Sequence, residues 1–284
     1  MSHLRVRPKR DHDRVIHVTP ESAGWRYVGF ELYRLAPGAS VAERTGDREV
    51  CLVLVSGRAS IASDGEDFGL IGERMSPFQG KPWSIYVPAG DRWQATAETA
   101  VELAVCSAPG QPSAHPPRLI APDSLGQETR GQGTNVRHVT NILPETDPGA
   151  DSLLVVEVIT PGGHTSSYPP HKHDTDNLPA ESYLEETYYH RLDPPQGFAF
   201  QRVYTDARDD GTRELDEAMV VEDGDVTLVP KGYHPCAATH GYDLYYLNVM
   251  AGPKRTWKFR NEPAHEWLVQ PPARDGKRDR SSTS

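Results

Sequence analysis

The sequence predicts an all-β protein made of two copies of one β fold. Three observations carry this. Short runs rich in Val, Leu, Ile and Tyr alternate with turns marked by Gly and Pro. No long stretch shows the periodicity of an amphipathic helix. Turn residues also recur at a fixed distance. Val87-Pro88-Ala89-Gly90 returns 142 residues later as Val229-Pro230-Lys231-Gly232, and Leu35-Ala36-Pro37-Gly38 resembles Ile159-Thr160-Pro161-Gly162. Such self-similarity marks a duplicated unit.

Along the chain, residues 1–24 are charged and unpatterned, which predicts an N-terminal arm. Residues 25–107 form the first β-rich unit, with strands in Trp25 to Leu35, Val50 to Val55, Ser84 to Val87 and Val101 to Val105. Composition shifts over residues 108–135. Ser107 to Pro117 holds too much proline for a central strand, and Gly126 to Gly133 is polar and Gly-rich, so a linker is expected. Residues 136–269 form the second β-rich unit. Residues 270–284 are polar and charged with no apolar anchor, which predicts a disordered tail.

Hydrophobic residues make up 37% of the 284, and mean hydropathy is −0.61. No apolar run approaches the roughly 20 residues of a membrane span, and no apolar signal segment follows the basic N-terminus. These features predict a cytoplasmic protein with no membrane partner. The net charge of −10 argues against nucleic-acid binding, which needs a basic field. It leaves room for a small anionic substrate in a local pocket. Cys51, Cys106 and Cys236 show no CxxC spacing, which fits a reducing compartment. Cys236 lies two residues after His234 and could be a soft ligand, but reads better as a small buried hydrophobe.

The chemistry concentrates in the second unit. His171-Lys172-His173 sends two imidazoles to one side of an extended chain. Downstream come the pair Glu185-Glu186 and a third histidine, His234, just after the Pro-x-Gly turn. Three histidines and a carboxylate suit zinc, iron, manganese or nickel. Only one of Glu185 and Glu186 can face inward on a strand. Glu186 would bring Tyr188 and His190 with it, and Glu185 would bring Thr187, Tyr189 and Arg191. The first unit lacks the set. No histidine falls between Gly38 and Glu49, Glu49-Val50-Cys51-Leu52 occupies the place of Glu186-Thr187-Tyr188-Tyr189, and Arg92 stands where the second unit has His234. One metal site per chain is therefore expected.

Gly162-Gly163, His171-Lys172-His173, Glu186-Thr187-Tyr188-Tyr189, the run from Gly224 through Pro230 to Gly232, and His234 together resemble the cupin signature. The long gap between His173 and Glu186 departs from it and reads as an inserted loop, Thr175 to Tyr183, of the lid type. A closer resemblance rests on Ser166 to Asp174, Glu185 to Arg191, Val229 to Pro235 and Tyr245 to Pro253. These stretches resemble the bicupin uronate isomerases, which include the 5-deoxy-glucuronate isomerases of bacterial myo-inositol catabolism and a related ketol-isomerase of pectin breakdown. The first unit resembles them more weakly.

The resemblance implies a bicupin: two jelly-roll-like β-barrels, the first degenerate and the second metal-binding. It implies one divalent ion, zinc first, with iron, manganese or nickel as alternatives, held by His171, His173, Glu186 and His234. It implies aldose–ketose isomerisation of 5-deoxy-D-glucuronate to 5-dehydro-2-deoxy-D-gluconate. Tyr188 and His190, on Glu186's face, are the candidate catalytic side chains, with interior packing as the plainer reading. For the substrate carboxylate the candidates are Arg202, on an alternating strand with Phe198, Phe200 and Tyr204, and Lys254 beside Arg255. A metal-dependent oxidoreductase such as a dioxygenase, a non-enzymatic sugar-binding module and a neighbouring uronate ketol-isomerase are the competing functions. A homo-oligomer is left open.

Overall fold

The computed structural model describes residues 2–9, 12–112 and 114–269. The tail expected from residue 270 lies outside the described residues. The chain forms two β-barrels, each built from two antiparallel sheets in the jelly-roll manner. In the first barrel a six-stranded sheet centres on Arg48–Ser56 and Val101–Pro109, and faces a four-stranded sheet containing Arg92–Ala97. In the second, a seven-stranded sheet centres on Glu185–Asp193 and Asp243–Ala251, and faces a four-stranded sheet containing Phe198–Tyr204. Among the described residues no helix is long and apolar enough to cross a membrane.

Alternation along the central strands decides what each face meets. In Arg48–Ser56, Val50, Leu52 and Leu54 fill the first barrel together with Ile85, Val87 and Trp93. Cys51, Val53 and Val55 turn the other way and join Phe30, Leu32, Tyr189, Leu247 and Val249 in a core shared by both halves. The larger sheets thus pack back to back. Each aliphatic side chain fully buried this way contributes about 1.5–3 kcal/mol.

The expected arm and linker are both corrected. Val15, Ile16 and Val18 are buried in the strand Arg14–Val18, which pairs with Gly29–Leu35. Arg5–Val6 pairs with Val226 and Thr227 of the second barrel, and Arg5 is anchored there by Asp225 at 2.5 Å. Within the expected linker, Arg118–Ile120 adds an edge strand to the first barrel, and Gly126–Arg130 adds one to the second. These strands have two to five residues, too few to show a pattern, and Arg5–Val6 and Arg118–Ile120 pair with strands far off in sequence, so local patterning could not reveal them.

Pairing also moves one residue of the repeat. Val50 pairs with Val87, and Glu186 pairs with Val229. Because Val87 and Val229 occupy the same turn, the counterpart of Glu186 is Val50. Glu49 corresponds instead to Glu185, and the two do the same work. Glu49 accepts hydrogen bonds from the backbone N–H groups of Asp151, Ser152 and Leu153 at 2.6–2.8 Å. Glu185 accepts from those of Arg26, Tyr27 and Val28 at 2.6–3.1 Å. Each barrel therefore holds the entering strand of the other by a charge-assisted clamp.

A buried ion pair crosses the same boundary. Arg74 donates to both oxygens of Glu157, at 3.0 and 2.8 Å, and Tyr245 donates to Glu157 at 3.0 Å. Removing one partner strands the other charge in the core. Arg74→Met should destabilise the protein by about 3–5 kcal/mol, and adding Glu157→Leu should recover part of the loss. Denaturant melts of both single variants and the double variant will check this. Strictly additive losses would contradict it.

Candidate metal centre

The second barrel has the same strand plan as the first but a polar interior. Glu186, Tyr188 and His190 take the inward positions held in the first barrel by Val50, Leu52 and Leu54. This parity matches the expectation for Glu186, while Glu185 is committed to the clamp. His234 is placed by the turn before it. Gly232 has φ +87°, and a Cβ there would collide with the carbonyl of Tyr204, so only glycine serves. His171 and His173 are both buried, and Lys172 between them turns away to Asp174 at 2.6 Å and Asp206 at 3.2 Å.

The donor atoms of His173, Glu186 and His234 lie within 4.8 Å of one another. The Nδ1 of His173 donates to the carbonyl of Leu184 at 3.1 Å, and the Nδ1 of His234 donates to that of Gly232 at 2.9 Å. A carbonyl can only accept, so each ring keeps its Nδ1–H there and turns Nε2 inward, where Glu186 Oε2 stands 3.1 Å from His173 and 3.3 Å from His234. His173 Nε2 can hydrogen-bond Glu186 when the ring is protonated, but the neutral His234 ring faces the same carboxylate with a lone pair. The Nε2 of His234 is buried without a hydrogen-bond partner. A cation resolves this arrangement, and the donor set suits a metal ion.

The electrostatics differ among the three histidines. Burial holds His234 down to about 4, helped by the neighbouring His173 and opposed by Glu186, so the ring is neutral and able to ligate. Burial also works against the charged form of His173, but the hydrogen bond and charge of Glu186 outweigh it and raise the group. His171 lies beside the cluster, its ring 4.9 Å from that of His234 and 4.6 Å from that of Phe259, yet outside the 4.8 Å group. Burial, then His234 and His173, keeps it well below its ordinary value.

A narrow chamber opens onto His171 and Glu186. Its volume is about 20 Å³, room for about one water. Tyr188 lines it, and the Tyr188 hydroxyl bonds Ser167 at 2.9 Å. His190 does not line it. That ring lies behind Tyr188, 5.9 Å between centroids, and its Nε2 meets Gln201 and Thr227 at 3.1 and 3.2 Å.

The structure does not bring the two expected carboxylate binders to this chamber. On Phe198–Tyr204 the alternation is real but its phase is opposite: Ala199, Gln201 and Val203 face in, while Phe198, Phe200 and Arg202 face out. Arg202 forms a two-pronged pair with Asp216 at 2.8 and 2.7 Å on the surface. Lys254 is likewise exposed, 3.2 Å from Asp176. Arg255 spends its guanidinium on backbone carbonyls, including that of Leu153 at 2.8 Å. The inserted loop is a small hairpin of Asp174–Asn177 and Glu181–Tyr183. Cys236 is buried and absent from the metal cluster, and burial pushes its thiol up to about 12. Sequence reasoning missed Arg130, Arg137 and Asn248, all of which line the chamber.

His173→Ala and His234→Ala should each abolish stoichiometric metal binding, read by elemental analysis. Arg92→Ala, on the exposed rim of the first barrel, should leave metal content unchanged. A second outcome concerns acid stability. Burial holds His190 at about 4 against an ordinary 6.5. The folded state therefore binds fewer protons than the unfolded one between these values. The stabilisation, on the order of 3 kcal/mol, is whole above pH 6.5 and fades as pH falls towards 4. His190→Gln should flatten the fall in Tm across that window, and an unchanged slope would count against the assignment.

Comparison with known proteins agrees with the architecture. The chain is 58% identical to the 5-deoxy-glucuronate isomerase of Geobacillus kaustophilus over 261 residues, 92% of each chain. A crystal structure of an IolB-like protein from Salmonella typhimurium LT2 superposes with a TM-score of 0.90 at 52% identity, covering 94% of this chain and 99% of that one. Bacillus subtilis oxalate decarboxylase shares the two-barrel fold alone, with a TM-score of 0.62 at 14% identity over 92% of this chain and 80% of that one. The family model described as KduI/IolB matches residues 4–268. With that match spanning nearly all of the described residues, the chain belongs to the KduI/IolB family.

Proposed function

We propose that this chain is an aldose–ketose isomerase that converts 5-deoxy-D-glucuronate to 5-dehydro-2-deoxy-D-gluconate in myo-inositol catabolism. The observation that carries the reading is the buried His173–Glu186–His234 cluster beside a chamber lined by Tyr188, in a chain 58% identical to a 5-deoxy-glucuronate isomerase over nearly its whole length. The ion would be divalent, zinc first, with iron, manganese or nickel as alternatives, held by His173, Glu186 and His234 with His171, beside them, as the fourth ligand. When bound, such an ion would polarise the substrate carbonyl and offset the negative charge that develops on the C1 and C2 oxygens as hydrogen moves from C2 to C1.

The chain supplies the surroundings of that reaction. Burial, and next to it the charge of Glu186, holds the Tyr188 hydroxyl well above its ordinary value, so it keeps its proton. It then serves as a hydrogen-bond donor to the oxygen that gains charge, with Ser167 fixing its direction. His190 acts behind it as a positioning residue, backing the Tyr188 ring. The chamber walls exclude water from the reactive intermediate. A six-carbon acid is larger than the chamber, so part of the wall yields on binding. Trp257 and Phe259, on the segment that covers His171, are the side chains placed to move.

The test is turnover of 5-deoxy-D-glucuronate in deuterated water, followed by NMR. Product formation is expected without oxygen, and deuterium at the migrated position marks proton transfer through an enediolate. A chelator should abolish turnover and a divalent ion should restore it. No product, or full activity in verified metal-free protein, would overturn the proposal.

A further inference from the structure

The structure assigns the substrate's carboxylate to Arg137, a residue at the edge of the second barrel. The assignment rests on the uronate-isomerase reading above and adds the group that selects an acid. Arg137 begins the strand Arg137–Leu143 and lines the same chamber as His171 and Glu186. Its guanidinium is half-buried. Only one of its nitrogens is occupied: Nη1 donates to the carbonyls of Tyr168 and Asn135 at 3.1 and 3.2 Å, and lies 3.4 Å from Asn135 Oδ1. Among the described residues, Nε and Nη2 hold no hydrogen bond, and no carboxylate lies within ion-pair distance.

Other buried arginines of this chain do not look like this. Arg74 and Arg191 hold carboxylates. Arg255 and Arg48 spread Nε and Nη groups over backbone and hydroxyl oxygens. Arg137 has no carboxylate to balance its charge, and its unbonded Nε–Nη2 edge, which is not sealed from solvent, is the two-donor fork that fits a carboxylate. Arg130 lines the same chamber, so two arginines share its wall with the Glu186 carboxylate. Arg130 is already paired with Glu128 at 2.6 Å and lies over the Trp257 ring at 5.2 Å, which leaves Arg137 as the arginine on this wall with no carboxylate partner. The substrate carries its carboxylate at the opposite end of the six-carbon chain from the reacting carbons. Once the wall yields to admit the substrate, the candidate metal ligands and the unspent arginine on the chamber's walls supply a partner for each end.

The test uses the metal-loaded full chain and two variants, Arg137→Gln and Arg137→Lys, each checked for unchanged metal content and Tm. In kinetics with 5-deoxy-D-glucuronate, Arg137→Gln should raise KM about tenfold to a hundredfold, with a smaller fall in kcat. Arg137→Lys should recover part of the loss. Binding is read separately by calorimetry with unreactive probes, D-gluconate and its neutral counterpart D-glucitol. Wild type should prefer the acid at least tenfold, and Arg137→Gln should lose that preference. An Arg137→Gln variant that keeps the preference, or a wild type without one, would overturn the assignment whatever the kinetics show. If wild type fails to turn over 5-deoxy-D-glucuronate yet shows the Arg137-dependent preference, the substrate reading falls and the carboxylate site stands.

Discussion

Two consecutive carboxylates on one strand point in opposite directions, and the rest of the molecule depends on that. Glu185 turns towards the first barrel and gathers the backbone N–H groups of residues 26–28. Glu186 turns into the second barrel and meets His173 and His234. Strand geometry imposes the split, because neighbouring side chains on a pleated chain cannot share a face. One residue of sequence therefore separates the joint between the barrels from the metal centre. A shift of one position in that strand would exchange the two roles and lose both.

The duplicated barrels use one plan for opposite purposes. Where the first places Val50, Leu52 and Leu54, with Trp93 closing the space, the second places Glu186, Tyr188 and His190. The first interior is held by dispersion and the hydrophobic effect. The second forgoes much of that stabilisation and keeps hydrogen-bonding groups in a dry setting, where each acts more strongly. The shared core between the sheets offsets the difference, since the active barrel leans on the inert one through a continuous apolar layer.

Much of this was legible in the sequence, for a physical reason. Period-two alternation is local, so Glu186, Tyr188 and His190 could be placed on one face from their spacing alone. The Pro-x-Gly turns that reveal the repeat are local too. The phase of Phe198–Tyr204 was not legible, because Phe198 and Phe200 are apolar yet exposed, at 42% and 50%. Apolar character alone named the wrong face. The edge strands at Arg5 and Arg118 escaped notice because two or three residues make no pattern. Arg137 escaped because its significance lies in the partners it lacks, which no stretch of sequence displays.

The edge strands carry a consequence for how the protein can be divided. Arg5–Val6 leaves the first half to complete the sheet of the second, and Arg118–Ile120, past the end of the first unit, turns back to complete the sheet of the first. Each barrel is thus closed by chain that the repeat boundary would assign elsewhere. A cut at that boundary would yield two pieces with open sheet edges, prone to pair with any strand they meet. Neither repeat unit contains all the strands of its own barrel, so the two halves are bound together by the chain that closes them.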